Sequence, residues 1–169
     1  GDVYKRQEEI EKQPVTIDWD ANAAEKAGYE HFMLKEIYEQ PKTINDTISP
    51  RIKDNDIVIE ELNMSDEEIK EITKIHIVAC GSAYHTGVTA KYVIEGLARI
   101  PVEVDVASEF RYRDPILQKG NMVIVISQSG ETADTLAALR ESRERGFKVL
   151  GIVNVVGSSI AREADSVMY

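Results

Sequence analysis

The sequence predicts an α/β fold: a parallel sheet with helices on both faces, in three layers (αβα). Three observations predict it. Asn121–Ser127 encloses the unbroken apolar run MVIVI, as a strand buried on both faces would. Lys74–Cys80 and Lys148–Val153 are similar runs. Stretches of helical length and pattern separate them, and strands alternating with helices pair in parallel through right-handed crossovers.

The elements follow in order. Residues 8–28 are polar and acidic, with Trp19 isolated between Asp18 and Asp20, and read as an exposed connector. From Tyr29 to about Ile48, apolar positions such as Phe32, Ile37 and Tyr38 predict helix. Pro41 ends one helix in this reading, and Lys42 begins another. Residues 51–64 read as irregular chain or a short hairpin. Ser65 ahead of Asp66, Glu67 and Glu68 marks a helix start with acids in its first turn.

Lys74–Cys80 is the first core strand. Gly81–Ile100 is the next helix, with Tyr84, Val88, Tyr92 and Val93 near one face. Val102–Ala107 is the second strand and Met122–Ser127 the third. Thr132–Arg145 is a helix stopped by Gly146. Lys148–Val153 is the fourth strand, a short helix starts after Ser158, and Ser166–Tyr169 opens a fifth strand. No internal repeat is visible.

Composition narrows the function classes. The chain has 169 residues, 43% of them hydrophobic, enough for an α/β domain with a core. No apolar run approaches the roughly 18 residues of a membrane span. The N-terminus has no signal-peptide pattern. The single cysteine, Cys80, excludes an internal disulfide and fits a reducing cytoplasm. It ends an apolar strand, so it reads as a buried structural thiol rather than a nucleophile. A net charge of −10 argues against nucleic acid or anionic membranes as partners. His31, His76 and His85 have no Cys or His partner at ligand spacing, so no metal is expected.

The richest stretch is NMVIVISQSGETADTLAAL, residues 121–139. A strand stops at Ser127-Gln128-Ser129-Gly130-Glu131-Thr132, and an Ala/Leu-rich helix begins at once. Open α/β sheets bind ligands at such junctions. Free backbone amides and the positive end of the helix dipole favour an anion there. Gly130 permits close approach of the backbone. Hydroxyls add neutral donors without a cation, so a small, reversibly held phosphate ester fits best. A nucleoside triphosphate site would need a lysine and a metal ligand, which the loop lacks. The alternative is that Ser129 only caps the helix and Thr132 is a first-turn residue.

The string SQSGETADT resembles the phosphosugar-binding loop of the sugar isomerase (SIS) domain. More narrowly, it resembles that of the glutamine–fructose-6-phosphate aminotransferase family. HFMLKEIYEQP (His31–Pro41), ACGSAYHTG (Ala79–Gly87) and ASEFRYR (Ala107–Arg113) fit that family in the same order. NVVGSS (Asn154–Ser159) is similar to a further motif, with Val156 where the family often has Pro. The resemblance covers roughly residues 14–169 and implies a flavodoxin-like parallel sheet. It also implies an organisation: 1–28 a non-native start (GDVYKRQ, which does not fit the family) and linker, 29–73 a helical inter-domain segment, and 74–169 a first SIS domain truncated at its C-terminal end. The family's usual chain is several times longer, so this sequence is expected to be a fragment.

By resemblance, Ser127, Ser129 and Thr132 hold the phosphate, and Gln128 and Ser82 help place the phosphosugar. Ser82 replaces the family's usual Thr and keeps the hydroxyl. Ala83 lacks a hydroxyl that many members carry. Glu131 is either a sugar-facing carboxylate or a first-turn acid. Glu109, Arg111 and Arg113 lie near the ligand mouth or an interface, or simply in solvent. His85 reads as a packing or interface residue, and Ser158 and Ser159 as helix caps.

The resemblance implies glucosamine 6-phosphate synthesis from fructose 6-phosphate and glutamine, without a cofactor. The family's glutaminase cysteine would precede residue 1. Its isomerase base and imine-forming lysine would follow Tyr169, so no catalytic residue is expected here and this chain alone should be inactive. The implied partners are the glutaminase domain of the same chain and a second copy in a homodimer, in the cytoplasm. A stand-alone SIS-type isomerase or deglycase, or a non-catalytic phosphosugar sensor, is the alternative.

Overall fold

The computed structural model describes residues 25–169. The start at 1–7 and most of the connector, with Trp19, lie outside the described residues. The chain forms two compact units, Gly1–Ile44 and Asn45–Tyr169. The division falls inside a helix.

Helix α1 (Phe32–Ile48) runs unbroken through Pro41. The expectation of separate helices around the proline is corrected. A proline removes one amide donor and strains the preceding turn, at about 3 kcal/mol. Here the turns on either side keep the helical course regardless.

In the second unit, the end of α1 and a 3-10 turn (Ser49–Arg51) precede a hairpin of β1 (Ile52–Lys53) and β2 (Asp56–Ile57). Asp54 and Asn55 form its turn with φ of 52° and 64°, as a two-residue hairpin loop of the primed type demands. Helix α2 (Asp66–Lys70) starts at the expected Ser65. Glu68 N donates to Ser65 Oγ (3.2 Å) and Ser65 N to Glu68 Oε2 (2.9 Å), a reciprocal cap.

The core comprises β3 (Lys74–Ala79), α3 (Gly81–Leu97), β4 (Val102–Val106), α4 (Ala107–Tyr112), β5 (Asn121–Ser127), α5 (Ala133–Glu144), β6 (Val149–Val153), α6 (Ser159–Glu163) and β7 (Ser166–Met168). The sheet order is β4-β3-β5-β6-β7, parallel throughout. This is the flavodoxin-like order. The chain first steps outward from β3 to β4, then returns to the other side of β3 for β5.

Strand alternation feeds two cores. Val78, Val123, Val125, Val149 and Val153 pack with Ala107 and Phe110 of α4, Ala138 and Leu139 of α5, and Ile160 of α6. Ile75, Ile77, Met122, Ile124 and Leu150 face the other way, against Ala90 and Ile94 of α3 and the 62–72 segment. Helices thus cover both faces, as expected.

Tyr92 and Val93 are exposed, and α3 sits on the sheet through Gly87, Ala90 and Ile94. The helix is apolar around much of its circumference, so the sequence marks no single stripe. Gly87 decides the orientation by letting the backbone approach. A Cβ there would lie 2.8 Å from Ile77 Cγ2 and 3.0 Å from Val104 Cγ1. Among the described residues, no helix is long and apolar enough to cross a membrane.

Candidate functional site

The direction of winding reverses between β3 and β5. Ala79 pairs with Ile126, so the loops after these strands leave the sheet side by side. Their carboxyl ends flank the crevice where open α/β sheets bind ligands. The first loop is Cys80-Gly81-Ser82, and Gly81 makes its turn at φ 57°. Ser82 is exposed in the first turn of α3, and its carbonyl accepts from Thr86 Oγ1 (3.3 Å). Cys80 is half-buried against the α4–α5–α6 core, and Thr135 Oγ1 lies 3.8 Å from its sulfur. It is a packing thiol.

The second loop is drawn tight by its own hydroxyls. Ser127 is buried at 4% exposure. Its Oγ accepts from Gly130 N (3.1 Å) and lies 3.0 Å from Thr132 Oγ1. Ser129 Oγ accepts from Glu131 N (3.2 Å). Thr132 stands at the N-cap of α5, yet no side chain there caps the helix. The capping-only account of Ser129 and Thr132 therefore fails for α5. Their hydroxyls shape the loop, and the first-turn amides of α5 have no side-chain cap. Gln128 and Ser129 are exposed, and Gly130 is buried at φ 66°.

The loop is fastened to the segment after β6. Asn154 N donates to the Gln128 carbonyl (3.2 Å), and Ile160 N to the Gly130 carbonyl (3.0 Å). Ser158 caps α6 through Ala161 N (3.4 Å), as expected. Glu131 differs from both of its sequence readings. It precedes the first turn of α5, and its Oε1 accepts from Ser159 N of α6 (2.7 Å). These bonds hold its carboxyl below the usual carboxylate range. Glu131 is separated from Ser159 by the whole of α5 and β6, so no local pattern signals the contact.

Among the other sequence candidates, Arg111 reaches the first turn of α5 through Asp134. Arg113 is committed to Asp105 (2.7 Å) and Glu103 on β4. Arg111 Nη1 lies 3.9 Å from Asp134 Oδ1, and Glu109 is exposed. His85 is exposed, edge-on to Tyr84 at 5.4 Å between ring centroids. His76, Glu103 and Asp105 bring their ligand atoms within 4.8 Å of one another, a cluster the sequence spacing did not show. Its carboxylates are already bound to Lys74 and Arg113, so it is an ion-pair network at the sheet edge.

Residues 68–169 match the SIS domain family. Over 163 residues the chain is 63% identical to a glutamine–fructose-6-phosphate aminotransferase (isomerizing) of Clostridium acetobutylicum, a match covering 96% of this chain and 27% of that protein. The corresponding enzyme of Caldanaerobacter subterraneus is 59% identical, over 99% of this chain and 28% of its own length. The chain thus spans little more than a quarter of these relatives. Among solved structures, the C-terminal domain of glucosamine-fructose-6-phosphate aminotransferase from Francisella tularensis is similar with a TM-score of 0.78 and 45% identity, covering 86% of this chain and 40% of that one.

Proposed function

The chain belongs to the SIS domain family, and from that premise we propose that it is the phosphosugar-binding part of the isomerase region of a longer enzyme. That enzyme makes glucosamine 6-phosphate from fructose 6-phosphate and glutamine. One observation carries the reading: the 127–132 loop presents Ser129 and Thr132 hydroxyls and the uncapped start of α5 at the sheet's switch point. Relatives at 63% and 59% identity bear the aminotransferase name, which favours this enzyme over a stand-alone isomerase or a sensor.

In this reading the phosphate lies across the start of α5. It accepts from backbone amides and from the Ser129 and Thr132 hydroxyls, with the dipole of a twelve-residue helix behind it. Ser127 holds the loop's curvature from beneath. Gln128, exposed beside it, and Ser82 on the neighbouring loop orient the sugar. The chain carries a net −10 charge, so these local donors rather than the overall field bind the anion. Ring opening, ammonia addition and proton transfer belong to residues outside this segment, and the ammonia comes from a glutaminase domain of the same chain. The enzyme is a cytoplasmic homodimer, which light scattering of the full-length protein checks.

The test is Ser129→Ala with Thr132→Ala in the full-length enzyme. Affinity for fructose 6-phosphate should fall by about tenfold or more, as two donors to a charged group are lost. Glutamine hydrolysis should persist. Unchanged sugar-phosphate affinity would overturn the assignment.

A further inference from the structure

We infer that Glu131 is a positioning residue for the phosphate loop, acting through the backbone at the start of α6 and not on the sugar. The inference rests on reading the 127–132 loop as a phosphosugar cradle. Gln128 and Gly130 are tied to the 154–160 segment by their carbonyls, which accept from Asn154 N and Ile160 N. Ser158 packs against Gly130. Glu131 adds a side-chain tie from the loop to that segment, from its Oε1 to Ser159 N at 2.7 Å. That tie sits immediately before Thr132, where the loop hands over to α5. Loss of the carboxylate would free the last hinge of the loop while leaving the earlier backbone bonds intact.

The same geometry removes Glu131 from the chemistry. A carboxylate committed to an amide donor stays ionised, and the bonds to Ser159 hold it below its usual range. It is therefore a poor proton carrier. Left unbonded beside a phosphate, the same charge would repel the ligand. Turned onto the start of α6, it faces an orphan amide that needs an acceptor.

Three variants of the full-length protein test this: Glu131→Ala, Glu131→Gln and Ser159→Pro. Gln keeps an acceptor oxygen. Pro at the first helical position removes the Ser159 donor, and this position tolerates proline; Ser158 at φ −63° and ψ 165° already has the backbone a following proline requires. Thermal melting checks that each variant folds.

Glu131→Ala and Ser159→Pro should raise the KM for fructose 6-phosphate by about tenfold, the worth of one charge-assisted hydrogen bond. The turnover number, its pH profile and glutaminase activity should stay within a few-fold. Glu131→Gln should recover most of the affinity. An unchanged KM in folded Glu131→Ala would overturn the inference. So would loss of turnover in both Glu131 variants at unchanged KM, which would make Glu131 a catalytic residue. Titration of the wild type and of the Ser129/Thr132 double variant with fructose 6-phosphate separates the levels. No wild-type binding takes down the cradle and this inference together. Binding that the double variant loses but Glu131→Ala keeps takes down this inference alone.

Discussion

Gly130 rests directly on Ser158: a Cβ built on the glycine would lie 2.5 Å from the Ser158 Cβ and closer still to its Oγ. Two effects therefore oppose Gly130→Ala. The backbone is left-handed at φ 66°, which costs an L-residue about 1–2 kcal/mol. The clash with a 3% exposed neighbour adds about 1–3 kcal/mol. They can be separated. Ser158→Gly removes the clashing atoms, and glycine replaces a serine cap at only a few tenths of a kcal/mol. In a double-mutant cycle by urea denaturation, Ser158→Gly should rescue about half of the Gly130→Ala loss. Strict additivity would show that contact with Ser158 does not shape this loop.

Ser127 should behave differently from Ser129. Its buried Oγ serves Gly130 N and Thr132 Oγ1. Ser127→Ala would leave a buried amide without its acceptor, a loss of about 1–3 kcal/mol in stability. The exposed Ser129 should be nearly silent in stability while still affecting ligand binding. Matched melting curves and phosphosugar titrations of the two single variants check this. Equal losses of stability would refute the division of labour.

The strand–loop–helix order was legible because buried parallel strands read as apolar runs and their loops carry glycine and hydroxyl residues. Asn121–Ser127, Lys74–Ala79 and the Ser65 and Ser158 caps were all visible locally. What failed was mainly what depended on contact between distant segments. Pro41 was read as a terminator, yet a proline costs a helix only a lost donor and local strain, and α1 continues through it. The sequence groups Tyr84, Val88, Tyr92 and Val93 near one face of α3, but it does not show that Gly87 and Ala90 are what faces the sheet; close packing selects small residues, which a hydrophobic pattern ignores. The loop hydroxyls were seen, but the hold that Glu131 and Ser158 exert on the loop was not, because α5 and β6 intervene in the sequence.

His76 sets a pH dependence. It is 1% exposed and edge-on to Phe110, with Nε2 3.2 Å from Asn121 Oδ1. That oxygen also accepts from Gln118 N, so Nε2 carries the hydrogen and the neutral ring leaves Nδ1 bare, 4.0 Å from Glu103. Burial, then the nearby Lys74, holds the imidazole below its ordinary value; Asn121, Glu103 and Asp105 oppose this without reversing it. A proton on His76 thus favours the unfolded chain. Its contribution to stability is whole above the ordinary value of about 6.5 and is lost as pH falls through that value toward the lower folded one. Urea midpoints should therefore drop from about pH 7.5 to about pH 5.5, and less so in His76→Gln. An equal drop in the variant would assign the dependence to other groups.

Gly87→Ala sets helix propensity against packing. Alanine in mid-helix is favoured over glycine by about 1 kcal/mol, so propensity alone expects a more stable protein. The new methyl would sit 2.8 Å from Ile77 Cγ2, on a 1% exposed side chain whose branch at Cβ leaves it little freedom to turn. Val104 closes the other side at 3.0 Å. Relief then requires α3 to lift from the sheet, and overpacking of this kind costs about 1–3 kcal/mol. Packing should win, with a net loss of about 1 kcal/mol in the urea midpoint analysis. Because α3 carries Ser82 in its first turn, phosphosugar affinity should weaken along with stability. A raised midpoint would mean that α3 can shift without loss, and that the close approach at Gly87 does not fix the position of the first loop.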